Sequence, residues 1–233
     1  MQKTALVTGG NKGIGLAVTQ YFLNHDYNVI VIARDFSCFE LATHENVQTV
    51  EYDLSNIESI PELIASLGDI HVLINNAGVM YSLPYDDYPQ AQVDRMIRLN
   101  IQAPVTLIQA VSKQMIERKN GRIVNNASIA GQTGHPDIWY GITKAGLINA
   151  TKSFAKILGI HGIVINAIAA SPTETDMLNV VLEERKNAFK KLAITGRFGK
   201  PSEVAETIGW LGTISPEYIN GTCIDINNGS FPR

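Results

Sequence analysis

TALVTGGNKGIG, running from Thr4 to Gly15, joins a short apolar run to a glycine-rich turn and then to a helix-like stretch over 13–25. Glycines at such a corner permit a tight turn and let the backbone approach a ligand closely. The N-terminus of the following helix offers free N–H groups and the positive end of a dipole, which favour a diphosphate. The spacing of Gly9, Gly13 and Gly15 is G-x-x-x-G-x-G. That is neither the common G-x-G-x-x-G nor a P-loop, since no Gly-Lys-Ser/Thr follows. Taken alone, the stretch is equally a strand-to-helix corner with no ligand.

The residues beyond it repeat the same alternation. Apolar runs at 4–8, 28–33, 47–52, 71–75, 122–127, 163–169 and 222–226 are rich in Val and Ile and bounded by Gly, Asn or Asp. They read as buried strands. Helix-like segments at 13–25, 57–67, 90–118, 138–159 and 202–213 lie between them. Strand and helix in alternation predict an α/β fold: a doubly wound, Rossmann-like parallel sheet of about seven strands with helices on both faces. No linker, repeat or low-complexity segment divides the 233 residues, so a single domain over 1–233 is expected. The stretch from Arg34 to Glu45 holds few helix signals and reads as a loop or single turn.

Composition narrows the function classes. Net charge is −3, with charges scattered in ones and twos, which argues against nucleic-acid binding. Two cysteines, Cys38 and Cys223, make neither a disulfide framework nor a metal spacing. No apolar run approaches the roughly 18 residues that span a bilayer, and the N-terminus lacks signal-peptide features. A cytoplasmic protein without membrane or metal is expected. His135 and His161 read as surface histidines, in no triad or ligand spacing.

Two further stretches bear chemistry. The second strand ends Ile32-Ala33-Arg34-Asp35. An acid at such a strand end takes a ribose 2′-hydroxyl, while an arginine nearby accommodates a 2′-phosphate. Arg34 and Lys12 together favour NADP(H) over NAD(H), with Asp35 as the contrary sign. In Trp139-Tyr140-Gly141-Ile142-Thr143-Lys144, Tyr140 and Lys144 lie four apart, on one face of a helix. The pair reads either as solvated surface or as a phenol acidified by an ammonium.

In order along the chain, these motifs resemble the short-chain dehydrogenases/reductases. Thr8 to Gly15 look like the family's cofactor loop, Asp53-Leu54 like its adenine pair, and Asn75-Asn76-Ala77-Gly78 like its NNAG motif. Asn100, Ser128, Tyr140 and Lys144 fall where the family keeps its catalytic tetrad. Arg197-Phe198-Gly199-Lys200-Pro201 and Glu203-Val204-Ala205 look like a motif of the 3-oxoacyl-[acyl-carrier-protein] reductase branch.

The resemblance implies an NADP(H)-dependent oxidoreductase interconverting a carbonyl and a secondary alcohol. Tyr140 is the implied acid/base, with Lys144 also holding the nicotinamide ribose. Ser128 donates to the developing alkoxide, and Asn100 distorts its helix to anchor a relay. The implied cofactor residues are Gly9, Asn11, Lys12, Gly13, Ile14, Gly15, Arg34, Asp53, Leu54, Asn76, Ala77, Gly78, Tyr140 and Lys144. Thr173 and Thr175 are added from the stretch Pro172 to Met177, where a helix cap is the alternative role. Residues 174–200 are expected to form a substrate lid, with Met177, Leu178, Val181 and Leu182 walling a carbon chain or packing on the sheet.

The chain departs from the family pattern at Ala170-Ser171, where Pro-Gly is usual. It departs again at Asn126-Ala127, where a hydrophobe and a serine are usual, and at Asn227-Asn228. A 3-oxoacyl thioester on acyl carrier protein is the leading substrate, with Arg118 and Lys119 as candidate contacts for an acidic carrier. His161 stands where that branch often has arginine. A sugar, sterol or small-metabolite dehydrogenase is the alternative, and a non-catalytic NADP-binding sensor is an alternative of another class. A homotetramer is expected, as the family commonly assembles.

Overall fold

The structure, a computed structural model, describes residues 2–233. Its strands are β1 (Thr4–Thr8), β2 (Asn28–Ala33), β3 (Val47–Glu51), β4 (Val72–Asn75), β5 (Gly121–Asn126), β6 (Ile163–Ala170) and β7 (Cys223–Ile226). They form one sheet in the order β3-β2-β1-β4-β5-β6-β7, every neighbouring pair parallel. The helices are α1 (Gly13–Leu23), α2 (Ile60–Ser66), α3 (Gln90–Ile97), α4 (Ala103–Arg118), α5 (Ala130–Thr133), α6 (Ile138–Leu158), α7 (Glu183–Leu192) and α8 (Pro201–Thr213). This is the doubly wound α/β fold that the strand and helix alternation predicts.

Strand alternation sorts the core into two layers. Ala5, Val7, Val29, Val31, Val72 and Ile74 face α1 and α8, where Val18, Phe22, Val204, Ile208 and Leu211 complete the layer. The intervening Leu6, Ile30, Ile32, Leu73 and Ile123 face α2 and α4, meeting Ile60, Ile64, Leu107, Val111 and Met115. Period-2 alternation puts successive side chains on opposite faces, so a strand hydrophobic throughout is buried on both. The smaller strand side chains on the first face admit close helices. At Gly209 of α8 an added Cβ would stand 2.2 Å from the Tyr21 ring of α1.

The chain winds β1 to β3 toward one edge, then returns to place β4 beside β1. Ligands of such sheets bind at the carboxyl ends of the strands where the order reverses. The glycine loop after β1 and Asn76-Ala77-Gly78 after β4 meet at that point.

Three expectations are corrected. The helix over 90–118 is two helices joined by a π turn, Arg98–Gln102, closed by the Ala103 N–H donating to the Arg98 carbonyl. Pro104 supplies the reason: it has no N–H to offer the Asn100 carbonyl four residues back, and its ring crowds that carbonyl. The stretch 177–192 of the lid, expected to be helix-like throughout, is a 3₁₀ turn, Asp176–Val180, followed by α7. The short α5 was not predicted. Among the described residues no helix is long and apolar enough to cross a membrane.

Candidate active site

The corner after β1 is held from both sides. The Gly9 N–H donates to the Ile32 carbonyl at 2.7 Å, with Gly9 at φ +62°, a conformation that glycine adopts at no steric cost. Gly15 is fixed by proximity, since a Cβ there would stand 1.9 Å from the Gly9 carbonyl oxygen. Thr8 is a hub: its hydroxyl donates to the Ile74 carbonyl and accepts the N–H groups of Asn76 and Ala77 at 2.9 and 3.0 Å. The start of α1 carries no capping side chain and no acid in its first turn. Its first N–H groups are therefore left for an anion, and this corner fits a dinucleotide diphosphate.

Of the two cations expected at the 2′-phosphate, only Arg34 stands exposed at the end of β2 without a carboxylate partner among the described residues. Lys12 instead ion-pairs with Asp176 at 3.1 Å. Asp35, the contrary sign, folds its carboxylate onto Ser37, accepting both the backbone N–H and the hydroxyl. Its backbone carbonyl accepts Asn11 Nδ2 at 2.8 Å.

Leu54 is buried in the layer under α4. Partial burial pushes the Asp53 carboxyl up, but hydrogen bonds from Ser55 and Arg95 outweigh it and hold the group at about 2. Arg95 lies 2.9 Å away as an ion pair.

Asn100 sits in the π turn. Its Oδ1 accepts the Val79 N–H at 2.9 Å, and its Nδ2 donates to the Val79 carbonyl and to Thr143 Oγ1. The amide thus pins the segment following Gly78. At Gly78 a Cβ would lie 3.3 Å from Asn100 Oδ1 and 3.7 Å from Lys144 Nζ. A side chain there would press on the Asn100 amide and touch the Lys144 ammonium.

Tyr140 and Lys144 are both buried, so the solvated-pair reading is excluded. Lys144 Nζ donates to the Asn126 carbonyl at 2.7 Å and lies 5.6 Å from the Tyr140 ring centroid. The expectation of an acidified phenol is reversed here. Burial pushes Tyr140 up to about 12, with Ser128 opposing through a hydrogen bond and the Asp137 carboxylate adding to the rise. Burial likewise pushes the Lys144 ammonium down to about 8. At neutral pH this phenol is held as a proton donor. Ser128 follows β5, and its hydroxyl accepts the Ala130 N–H at 3.1 Å.

Segment 174–200 leaves and re-enters the fold at one neck. Thr173 bridges Gly199, Glu174 N–H donates to the Gly199 carbonyl, and Gly199 N–H donates to the Pro172 carbonyl. Thr173 is buried, its hydroxyl turned to Ser171. The Thr175 methyl lies 3.1 Å from where a Gly13 Cβ would be, so this residue packs over the glycine loop.

Several residues at the site were not among those singled out. Asn126, noted only as a departure, donates from Nδ2 to Asn76 Oδ1 at 2.9 Å, and Asn76 Nδ2 reaches the carbonyls of Thr8 and Gly9. One strand end thus ties Lys144 to the glycine loop. Asp137 caps α6, accepting the Tyr140 N–H with one oxygen and the Ser82 N–H and Tyr88 hydroxyl with the other. An Asp three residues before Tyr140 at a helix start is a visible N-cap signal. His135 is corrected from surface to site: it is half-buried, its ring 5.4 Å from that of Tyr140. Arg118 and Lys119 are also corrected as contacts beside the site, while His161 keeps its reading as a histidine away from the chemistry. They precede β5 and β6, at the sheet end opposite the site. Arg118 is moreover engaged with Asp69, Gln114 and the Ile70 carbonyl.

Comparison with known proteins agrees with this geometry. A family model described as short chain dehydrogenase matches residues 3–186. The 3-oxoacyl-[acyl-carrier-protein] reductase FabG of Aquifex aeolicus is 34% identical over 98% of this chain and 97% of its own. Among solved structures, ElxO with NADP bound superposes with a TM-score of 0.89 at 29% identity, covering 99% of both chains. A 4-hydroxyisoleucine dehydrogenase mutant complexed with NADH and succinate superposes at 0.92 with 28% identity, covering 98% of both.

Proposed function

Because this chain belongs to the short-chain dehydrogenase/reductase family, and is thus an oxidoreductase, we propose that it interconverts a carbonyl and a secondary alcohol with NADP(H) at Tyr140. The observation that carries the reading is the buried pair: a phenol kept protonated and an ammonium one helical turn on, with Ser128 beside the phenol at the end of β5. When bound, the nicotinamide supplies or accepts the hydride at the substrate carbon. The Tyr140 hydroxyl gives its proton to the carbonyl oxygen during reduction and takes it back in oxidation. Ser128 orients that oxygen and stabilises its developing charge. Lys144, aimed by the Asn126 carbonyl, holds the nicotinamide ribose, and its charge favours the phenolate left after proton transfer. Asn100 holds the Val79 segment against this centre.

When bound, the diphosphate would be held by Gly13, Ile14 and Gly15 on the bare start of α1, with Gly9 and Asn11 shaping the corner. Asp53 and Leu54 take the adenine, Asn76, Ala77 and Gly78 line the nicotinamide side, and Thr173 and Thr175 close over the diphosphate. Arg34 takes the 2′-phosphate, joined by Lys12 once it leaves Asp176. NADP bound to ElxO and the outward turn of Asp35 support this choice over NAD(H). Residues 174–200 act as the lid, hinged at the Thr173–Gly199 neck.

Likeness to FabG over nearly the full chain supports a 3-oxoacyl thioester on acyl carrier protein as substrate. A second reading, a dehydrogenase of a small polar metabolite, is favoured by the polar wall of Ser82, His135 and Arg185 beside Tyr140. A homotetramer in the cytoplasm completes the proposal.

Loss of absorbance at the reduced-nicotinamide band tests it, with acetoacetyl-CoA and a ketone and sugar panel. Turnover with NADPH should exceed that with NADH, and Tyr140→Phe should lower it by about a thousandfold. Equal rates in the Tyr140→Phe protein would sink the assignment of the acid/base, and binding of NADPH with no turnover of any compound by the unmutated protein would revive the sensor reading.

A further inference from the structure

Arg185 projects from α7 into the mouth of the site. Its Nη1 donates to Ser82 Oγ at 3.2 Å and its Nη2 to His135 Nε2 at 3.1 Å. Both partners are neutral acceptors. An arginine never gives up its proton, so at this contact Nε2 is the accepting nitrogen, while Nδ1 faces both the N–H and the carbonyl of Asp137, at 3.1 and 3.2 Å. Burial lowers the pKa of His135 and the guanidinium adds to this, outweighing the Asp137 carbonyl and carboxylate, which raise it. The guanidinium is half-buried and has no carboxylate within salt-bridge distance among the described residues. Two of its five N–H donors are engaged.

Of the other site cations only Arg34, at the 2′-phosphate corner beyond β2, is likewise without a carboxylate partner among the described residues. Lys12 and Arg95 have carboxylate partners, and Lys144 has a carbonyl. Ser82 adds a second observation. It is one of four non-glycine residues at positive φ, +58°, a costly conformation fixed by its N–H donating to buried Asp137. That bond turns the loop so that the Ser82 hydroxyl meets Arg185. The result is a guanidinium carried on α7 and oriented from two other segments but neutralised by neither, one imidazole ring away from Tyr140.

We propose that Arg185, steadied by Ser82 and His135, receives an oxyanion of the substrate, a carboxylate or a phosphate, while Tyr140 handles its carbonyl or hydroxyl carbon. The inference rests on the reading of Tyr140 as the acid/base and narrows the substrate within it. The planar fork of a guanidinium matches a carboxylate or phosphate in two parallel hydrogen bonds. A thioester is neutral and gains no such pairing, so the inference favours oxo acids or phosphorylated ketoses over acyl thioesters. Because Arg185 rides on α7, the same ion pair draws the lid segment toward the Tyr140 side of the cleft.

The test separates binding from turnover. Tyr140→Phe protein saturated with NADPH is titrated calorimetrically with acetoacetate and its methyl ester, then with dihydroxyacetone phosphate and dihydroxyacetone. The same titrations follow with Arg185→Met or Arg185→Lys added. One charged probe should bind about ten- to a hundredfold tighter than its neutral partner. That ratio should fall to near one with Arg185→Met and recover in part with Arg185→Lys, while NADPH affinity stays unchanged. The acid pair and the phosphate pair tell the two anion sources apart. A ratio near one for both pairs, no measurable binding of either anion, or a ratio that survives Arg185→Met would overturn the inference. Turnover of acetoacetyl-CoA without any charge preference would leave the proposed chemistry standing and remove only the role of Arg185. Arg185-dependent anion binding with no turnover of any carbonyl compound would do the reverse.

Discussion

At the scale of the residue, Lys144 is the most costly side chain in the site. Its ammonium is buried, and burial lowers its pKa from an ordinary 10.5 to about 8. Between those two values the unfolded chain binds a proton that the folded chain does not. Stability from this residue therefore rises with pH across that window, and below pH 8 the full penalty of about 3 kcal/mol is present. Lys144→Met removes the penalty but leaves the Asn126 carbonyl without its donor, which costs about 1–3 kcal/mol. The variant should be inactive yet up to about 2 kcal/mol more stable at pH 7 in urea unfolding, with no rise in stability from pH 8 to 10.5. A clear loss of stability at pH 7 would show that the ammonium is better solvated than its burial implies. Tyr140 and Lys144 were legible as a pair because a four-residue spacing is a local property. Their shifted acidities were not, because burial is set in large part by Met96 and the stretch from Val79 to Tyr88, which the chain brings in from elsewhere.

At the scale of the element, the meeting of α1 and α8 depends on Gly209, where no side chain fits against Tyr21. Gly209→Ala overpacks that contact and should cost about 1–3 kcal/mol, read as a lower urea midpoint with an unchanged slope. If stability is unchanged, the Tyr21 ring has room to turn aside. The strands were legible to within two residues because their Val and Ile runs are bounded by turn-forming residues. The distortion between α3 and α4 was expected at Asn100 from the family resemblance and was also on view in Pro104, although the amphipathic pattern runs through both. The pairing of Lys12 with Asp176 had no local signal at all, since 164 residues separate the partners.

At the scale of the whole molecule, the site is a convergence of loops at one end of the sheet. The glycine loop, the segment after β4, the ends of β5 and β6 and the 174–200 excursion all meet there. A ligand that bridges them stabilises the fold by mass action. NADPH should therefore raise the melting midpoint more than NADH at equal concentration, and Arg34→Ala should erase the difference. Equal shifts with both cofactors would remove the 2′-phosphate from the role given to Arg34. The expected tetramer is checked by light scattering, where the mass of one chain would refute it. The fold and the cofactor corner could be read from order and spacing along the chain. The wall of Ser82, His135 and Arg185 could not, because three distant stretches build it and none is unusual alone.

The π turn at Arg98–Gln102 gives chain length a meaning of its own. It holds one residue more than a regular helical turn, and each residue of an α-helix advances the face by about 100°. Dropping a single residue there, together with Pro104→Ala, would let α3 and α4 fuse into one continuous rod. Core packing beyond the join would have to rotate to follow, and Asn100 would leave Val79 and Thr143. The phase between the sheet-packed half of this rod and the half that serves the site is thus encoded by an insertion. Single-residue gains and losses in this short stretch will discriminate between working and silent copies of the chain more sharply than most substitutions around it.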